Sequence, residues 1–271
     1  MLIIDAFNMI YRAAGVACSK PESEYVFKSL HKTFLQIYFK MFNRLYRNFK
    51  QHKIIIAWDS PGKNFRKDIF PDYKGNRIGE IKERVKEAFP DVKDGLKNYG
   101  CTILEVDKQE ADDLIFSVCK AYPDEKIIII SGDKDFIQLI NENVKLFSPN
   151  KQKYIQKPDY DYVATRAIEG DKSDNINGLP GIGPKRAVAV LNNYETFWSC
   201  LSESHKEIIT RNLELMDLNR NPNKDNNIEY VKKEIENNKN EYTFKEIKKF
   251  TMKHKLVEIF GNLKSELGEF M

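Results

Sequence analysis

The chain has 271 residues, of which 41% are hydrophobic and 12% aromatic, enough for a packed core and too many for a disordered polymer. Charged residues make up 31% and the formal net charge is only +4, and no apolar run approaches a membrane span, so transmembrane-helix classes are excluded. Cys18, Cys101, Cys119 and Cys200 are scattered with no CxxC pair, which excludes a disulfide framework and a thiolate zinc site and fits reduced thiols in the cytosol. Met1 runs directly into Leu2-Ile3-Ile4 with no basic segment before them, so no secretory signal is expected.

In chain order, Leu2–Ile4, Ile54–Trp58, Cys101–Val106 and Ile127–Ile130 read as buried parallel strands, because each is nearly all apolar. Helical stretches alternate with them at Glu24–Phe49, Glu80–Phe89, Ala111–Ala121 and Asp135–Ile140. Val144–Phe147 and Lys153–Ile155 read as edge strands. Such alternation predicts an α/β fold, a mostly parallel open sheet with helices on both faces, over residues 1–157. Residues 158–271 are expected to be helical, at Asp159–Glu169, Pro184–Asn192, Ser204–Leu218 and Phe244–Phe260, with solvated loops at Asn219–Asn227 and Asn237–Asn240.

The carboxylates fall at informative places. Asp5 and Asp59 end the first two strands, Glu110, Asp112 and Asp113 follow the third, and Asp133 and Asp135 follow the fourth; Asp171 and Asp174 add a pair from the helical part. The carboxyl ends of parallel strands share one edge of a sheet, so acids distant in sequence converge there. Two unit charges about 4 Å apart repel by roughly 1 kcal/mol in water and about 4 at an effective dielectric of 20. Bound cations relieve that cost, and an all-oxygen donor set selects Mg²⁺ or Mn²⁺ over zinc. Glu110 and Asp113 share a helix face, whereas Asp112 is turned about 200° from Glu110. Two of the three are therefore expected to reach metal directly and the third through water. Capping of helix dipoles explains any one of these acids but does not require them at successive strand ends. With the nine set aside, 31 acids face 44 basic residues, a balance of +13 that suits a phosphate-binding surface.

Gly178-Leu179-Pro180-Gly181-Ile182-Gly183-Pro184-Lys185-Arg186-Ala187 has the form of a helix–hairpin–helix. Gly181 and Gly183 permit the turn and close backbone approach, Pro184 opens a helix, and Lys185 and Arg186 stand beside the N–H groups that would meet a phosphate. Phe65-Arg66-Lys67 and Phe70 to Arg77 interleave aromatics with bases, so unstacked bases are expected on Tyr73 and phosphates on Arg66, Lys74 and Arg77.

The strings DIFPDYKGNR (68–77), EADDLI (110–115), SGDKDF (131–136) and GDKSDNINGLPGIGPKRA (170–187) occur in that order and resemble the 5′ nucleases, the phage flap endonucleases and the 5′-nuclease domain of bacterial DNA polymerase I. The resemblance spans roughly residues 1–200 and implies a PIN-like core with an arch or clamp at about 62–100 over two metal ions. By motif, Asp5, Asp59, Glu110, Asp112 and Asp113 would surround the first ion, and Asp133, Asp135, Asp171 and Asp174 the second. Lys74 would reach the scissile phosphate. The hairpin at about 170–192 would bind duplex DNA, with a potassium ion on the backbone carbonyls of Ile168, Glu169, Asn177, Leu179 and Ile182. The resemblance implies two-metal hydrolysis of DNA in replication or repair, with Mg²⁺ replaceable by Mn²⁺. Flaps, nicks, 5′ ends and RNA–DNA hybrids are the expected substrates. The expected setting is a monomer in the bacterial cytoplasm or a phage-infected cell, working alone or with a recruited replication protein, because the chain is too short to carry the polymerase.

Two rivals stand beside this reading: a PIN-like ribonuclease, and a catalytically inactive DNA-binding relative. The hairpin speaks against the first and the full set of acids against the second. A haloacid-type phosphatase needs a DxD pair after the first strand, and Asp5 is followed by Ala6-Phe7-Asn8. His31, His52, His205 and His254 sit in no motif and are expected at the surface.

Overall fold

The computed structural model describes residues 1–19, 26–49, 53–76, 80–239, 244–256 and 259. The strands are β1 (Leu2–Asp5), β2 (Ile54–Ala57), β3 (Thr102–Leu104), β4 (Ile127–Ile130), β5 (Val144–Ser148) and β6 (Lys153–Ile155). The helices are α1 (Ala6–Ala17), α2 (Val26–Asn48), α3 (Phe65–Ile69), α4 (Glu80–Val85), α5 (Phe89–Asn98), α6 (Ala111–Ala121), α7 (Tyr162–Glu169), α8 (Pro184–Leu191), α9 (Tyr194–Ser199), α10 (Glu203–Met216), α11 (Lys224–Asn237) and α12 (Phe244–Lys253). The six strands make a mostly parallel sheet, as expected. Two compact units divide the chain: residues 1–58, 79–104 and 232–271, and residues 59–78 and 105–231. The expected break near residue 157 does not coincide with this division.

In the first unit β1 pairs in parallel with β2, and β2 with β3. Leu2, Ile3, Ile4, Ile55 and Ile56 are fully buried, which is why these runs carry no polar alternation. Helix α2 buries Leu30, Phe34, Leu35, Tyr38, Phe39, Phe42 and Leu45, one face of a 3.6-residue period. Each large apolar side chain so buried contributes about 1.5–3 kcal/mol. Helix α5 buries Val92 and Leu96. Of the stretch 62–100 expected as an arch, Phe89–Asn98 is thus a core helix, and residues 77–79, with Arg77, lie outside the described residues. Helix α1 was not expected; it follows β1 with no intervening loop, Asp5 ending the strand and capping the helix at once. His31 and His254 both lie within ion-pair reach of Asp91, and the His254 side chain is 11% exposed, which departs from the expected surface placement; His52 lies outside the described residues.

In the second unit β4 pairs in parallel with β5, and β6 returns antiparallel to β5. A two-stranded ladder of Gly170–Asp171 with Ile176–Asn177 leads into the hairpin. The stretch Asn219–Asn227 is not a solvated loop. Asn221 and Asn227 are buried and both donate to Gln109 Oε1 at 2.9 Å, and Lys224 opens α11. Satisfied buried amides of this kind are invisible to a reading that treats asparagine as a loop residue. Asp135–Leu139 is a 3₁₀ turn rather than an α-helix. Among the described residues no helix is long and apolar enough to cross a membrane.

Candidate active site

Eight of the nine expected acids belong to the second unit; Asp5 belongs to the first. Asp5 is the last residue of β1 and caps α1, its Oδ1 accepting from the Asn8 N–H at 3.0 Å. Asp59 follows β2, and its Oδ1 accepts the Ala111 N–H at the start of α6 (2.7 Å). Glu110 is the N-cap of α6 and forms a reciprocal capping box with Asp113. Asp112, Asp135, Asp171 and Asp174 line one small cleft, whose other wall is Tyr73, Ile176, Leu215 and Met216. Asp133 stands beside them, its Oδ1 accepting the Asp135 N–H at 2.9 Å, so a two-residue turn after β4 keeps both acids at the strand end.

The cleft divides electrostatically. Arg66 is 2% exposed and donates to both oxygens of Asp113, at 2.9 and 2.8 Å, while its Nε donates to the Leu215 carbonyl at 2.9 Å. Burial alone would lower the guanidinium pKa, but Asp113 and Glu110 hold it well above its usual value. Glu110 accepts from Lys74 Nζ at 2.8 Å and Tyr73 Oη at 3.1 Å. Burial opposes its ionisation, yet Lys74 and Arg66 bring its pKa down to about 2. Asp135 has the opposite fate: burial, then Asp133, Asp174 and Asp171, push it up to about 7. Asp171 escapes. Burial raises its pKa, but hydrogen bonds from Ser173 and the Arg166 ion pair lower it below the ordinary range.

These partners relocate two of the expected DNA-facing groups. Arg66 is turned inward against Asp113, a carboxylate buried beside it. Tyr73 is 3% exposed and packed with Ile176, Leu215 and Met216 at the lining of the cleft. Lys74 follows with a left-handed backbone (φ 56°) and its N–H on the Asp174 carbonyl at 2.8 Å. Asn175 Nδ2 donates to the Asp72 carbonyl (2.9 Å) and Asn76 Nδ2 to the Lys172 carbonyl (2.8 Å). Three bonds thus tie the 72–76 loop to the 172–175 turn, and they bring Lys74 to the acids.

At the hairpin, Gly170 takes φ 81°, and a Cβ there would lie 2.3 Å from the Gly178 nitrogen; one on Gly178 would lie 2.1 Å from the Glu169 carbonyl oxygen. The turn needs both glycines. Gly181 and Gly183 face open space, and Lys185 and Arg186 are exposed in the first turn of α8, with Arg186 donating to the Gly181 carbonyl at 3.0 Å. Among the carbonyls expected to hold potassium, that of Ile168 accepts from Leu179 N–H (2.8 Å), that of Leu179 from Ile182 N–H (3.2 Å), and that of Asn177 from Asn212 Nδ2 (2.9 Å). Arg166, Gln138 and Asn212 are absent from the sequence motifs yet belong to the site. Arg166 pairs with Asp171, Gln138 spans the Asp135 and Met216 carbonyls, and buried Asn212 bridges the Ala167 and Asn177 carbonyls. Only Arg166, one turn before the acid motif on α7, carries a local signal.

A 5′-3′ exonuclease of Aquifex aeolicus is 29% identical over 222 residues, 76% of this chain and 73% of that protein. The flap endonuclease Xni of Shewanella denitrificans is 28% identical over 207 residues, 72% of this chain and 78% of its own. The crystal structure of the T5 D15 protein co-crystallised with metal ions has the same fold, with a TM-score of 0.67 at 22% identity, over 96% of this chain and 98% of that one. Residues 1–167 match the family described as the 5′-3′ exonuclease, N-terminal resolvase-like domain. The chain belongs to the 5′-3′ exonuclease family of nucleases.

Proposed function

We propose that the protein is a structure-specific 5′ nuclease, acting as 5′-3′ exonuclease and flap endonuclease on DNA with 5′ flaps, nicks or ends, with two divalent ions, Mg²⁺ or in its place Mn²⁺. The observation that carries the reading is the cleft of Asp112, Asp135, Asp171 and Asp174, in which the pKa of Asp135 is raised to about 7 by burial and its neighbours. A donor set made only of oxygens and short of positive charge fits hard divalent cations. Asp133, Asp135, Asp171 and Asp174 would hold one ion; Asp59, Glu110 and Asp112 would serve the other, with Asp5 included on its motif position alone. Bound there, such ions lower the pKa of a water nucleophile and neutralise charge on the phosphate.

The protein's own groups do the rest. Lys74, 19% exposed and paired with Glu110, would meet negative charge developing on the scissile phosphate. Arg66 and Tyr73 act as positioning residues, because both are buried and orient Asp113 and Glu110. Asp113, with both oxygens on Arg66, supports the site from behind rather than as a direct ligand. Gly181 and Gly183 leave room for a phosphate at the start of α8, and Lys185 and Arg186 would pair with it. A potassium ion on the hairpin carbonyls would use the second lone pair that each carbonyl oxygen keeps beside its present hydrogen bond. End-labelled flap, nicked and single-stranded DNAs, incubated first with Mg²⁺ and then with EDTA, test the reading. Cleavage of flap and nicked duplex from the 5′ side, lost with EDTA, is expected; cleavage that survives EDTA, or no cleavage of any of the three, overturns it.

A further inference from the structure

The first unit contains a cluster that the nuclease reading does not use. His31 on α2, Asp91 in the first turn of α5 and His254 directly after α12 offer ligand atoms that all lie within 4.8 Å of one another. His31 Nε2 is 2.9 Å from Asp91 Oδ2, and His254 Nε2 is 3.7 Å from Asp91 Oδ1. That last separation is too long for a hydrogen bond, and among the described residues the buried His254 Nε2 has no hydrogen-bond partner. A buried ring nitrogen without a partner is costly to keep and calls for an explanation.

We infer that His31, Asp91 and His254 form a site for a borderline transition ion, Zn²⁺, which clamps the segment after α12 onto α2 and α5. Two imidazole nitrogens and one carboxylate are a zinc donor set, with water completing the tetrahedron on the exposed His31 side. Bonds of about 2.1 Å to zinc place tetrahedral ligands about 3.4 Å apart, and the three ligand atoms already lie within 4.8 Å of one another.

The frame that holds the ligands is rigid. Gly95 lies one helical turn beyond Asp91, and a Cβ on it would stand 2.2 Å from Phe39 Cζ and 2.7 Å from Phe250 Cζ. Phe250 lies one turn before His254, packs on its ring at 4.6 Å and meets the Phe39 ring at 5.1 Å. Phe39 stands two turns after His31 on α2. Each ligand therefore shares a helix face with a member of one close-packed group, and the three backbones cannot drift apart.

Zinc uptake measured against a chromophoric chelator, in excess Mg²⁺ so that the acidic cleft is occupied, tests the inference. Wild-type protein is expected to hold one equivalent more than His31→Ala and one more than His254→Ala. Zinc should also raise the melting temperature of wild type and of neither variant, and Co²⁺ in its place should give the visible bands of a four-coordinate ion in wild type only. His31 is 36% exposed, so its variant tests binding with little risk to the fold, which circular dichroism checks. Equal zinc stoichiometry in wild type and the folded His31→Ala protein overturns the site, as does a wild type that takes up no zinc.

Discussion

The two halves of the acidic cleft solve the same electrostatic problem in opposite ways. Around Glu110 and Asp113 the protein supplies its own cations, Arg66 and Lys74, and Glu110 is brought down to about 2. Around Asp135 the described cations go chiefly to Asp171 through Arg166, and Asp135 is pushed up to about 7. One half is already paired within the protein: Arg66 occupies both oxygens of Asp113, and Lys74 occupies one of Glu110. In the other, burial and the neighbouring Asp133, Asp174 and Asp171 disfavour ionised Asp135, a repulsion that an added cation would relieve. Carboxylates of one kind thus differ in how readily they ionise according to the cation the fold brings them.

Removing charge from the unrelieved half breaks the comparison most severely. Asp174→Asn and Asp135→Asn are each expected to abolish Mg²⁺-dependent cleavage while leaving DNA affinity measured in EDTA intact, since without metal removing negative charge cannot weaken attraction to phosphate. Turnover at the wild-type rate in saturating Mg²⁺ would remove the residue from the metal site. Asp135→Asn has a second, opposite consequence. A carboxyl whose folded pKa is raised binds its proton more tightly in the native state, so metal-free stability falls as pH rises from about 4 to about 7. Urea unfolding in EDTA should show that fall in wild type and a flatter profile in the variant. Identical profiles would mean the repulsion is not stored there.

The paired half responds in stability first. Arg66→Ala leaves Asp113 buried without its guanidinium and is expected to cost about 3–5 kcal/mol. Chemical denaturation measures it, and a loss below about 1 kcal/mol, the scale of an exposed pair, would show that the pair is not buried in solution. Lys74→Ala tests the boundary between the halves. Its single-turnover rate with enzyme saturating over substrate should fall on the order of 10²–10³, with affinity little changed. A wild-type rate under those conditions would confine Lys74 to pairing with Glu110. The smallest effect belongs to the hairpin, where charge is exposed and shared. Lys185→Ala with Arg186→Ala should flatten the dependence of log K on log salt by about 0.9 for each phosphate no longer neutralised. An unchanged slope would mean that α8 does not meet the DNA backbone.

What the sequence by itself determined are the features written in local spacing. Apolar runs such as Ile127–Ile130 marked the strands, and Pro184 after its glycines marked the start of a helix. Each depends on residues within a few positions of one another, so periodicity and turn chemistry suffice to read it. The tertiary structure alone decided the partners. Arg66 and Asp113 are 47 residues apart, Gln109 and Asn227 118 apart, and no spacing rule connects them. The same holds for His31, Asp91 and His254, which only the packing of Phe39, Gly95 and Phe250 brings together. A carboxylate's position along the chain sets which edge of the sheet it reaches. Whether it is neutralised there or left to attract a metal depends on which cation the folded core delivers to it, and that is a property of three-dimensional packing.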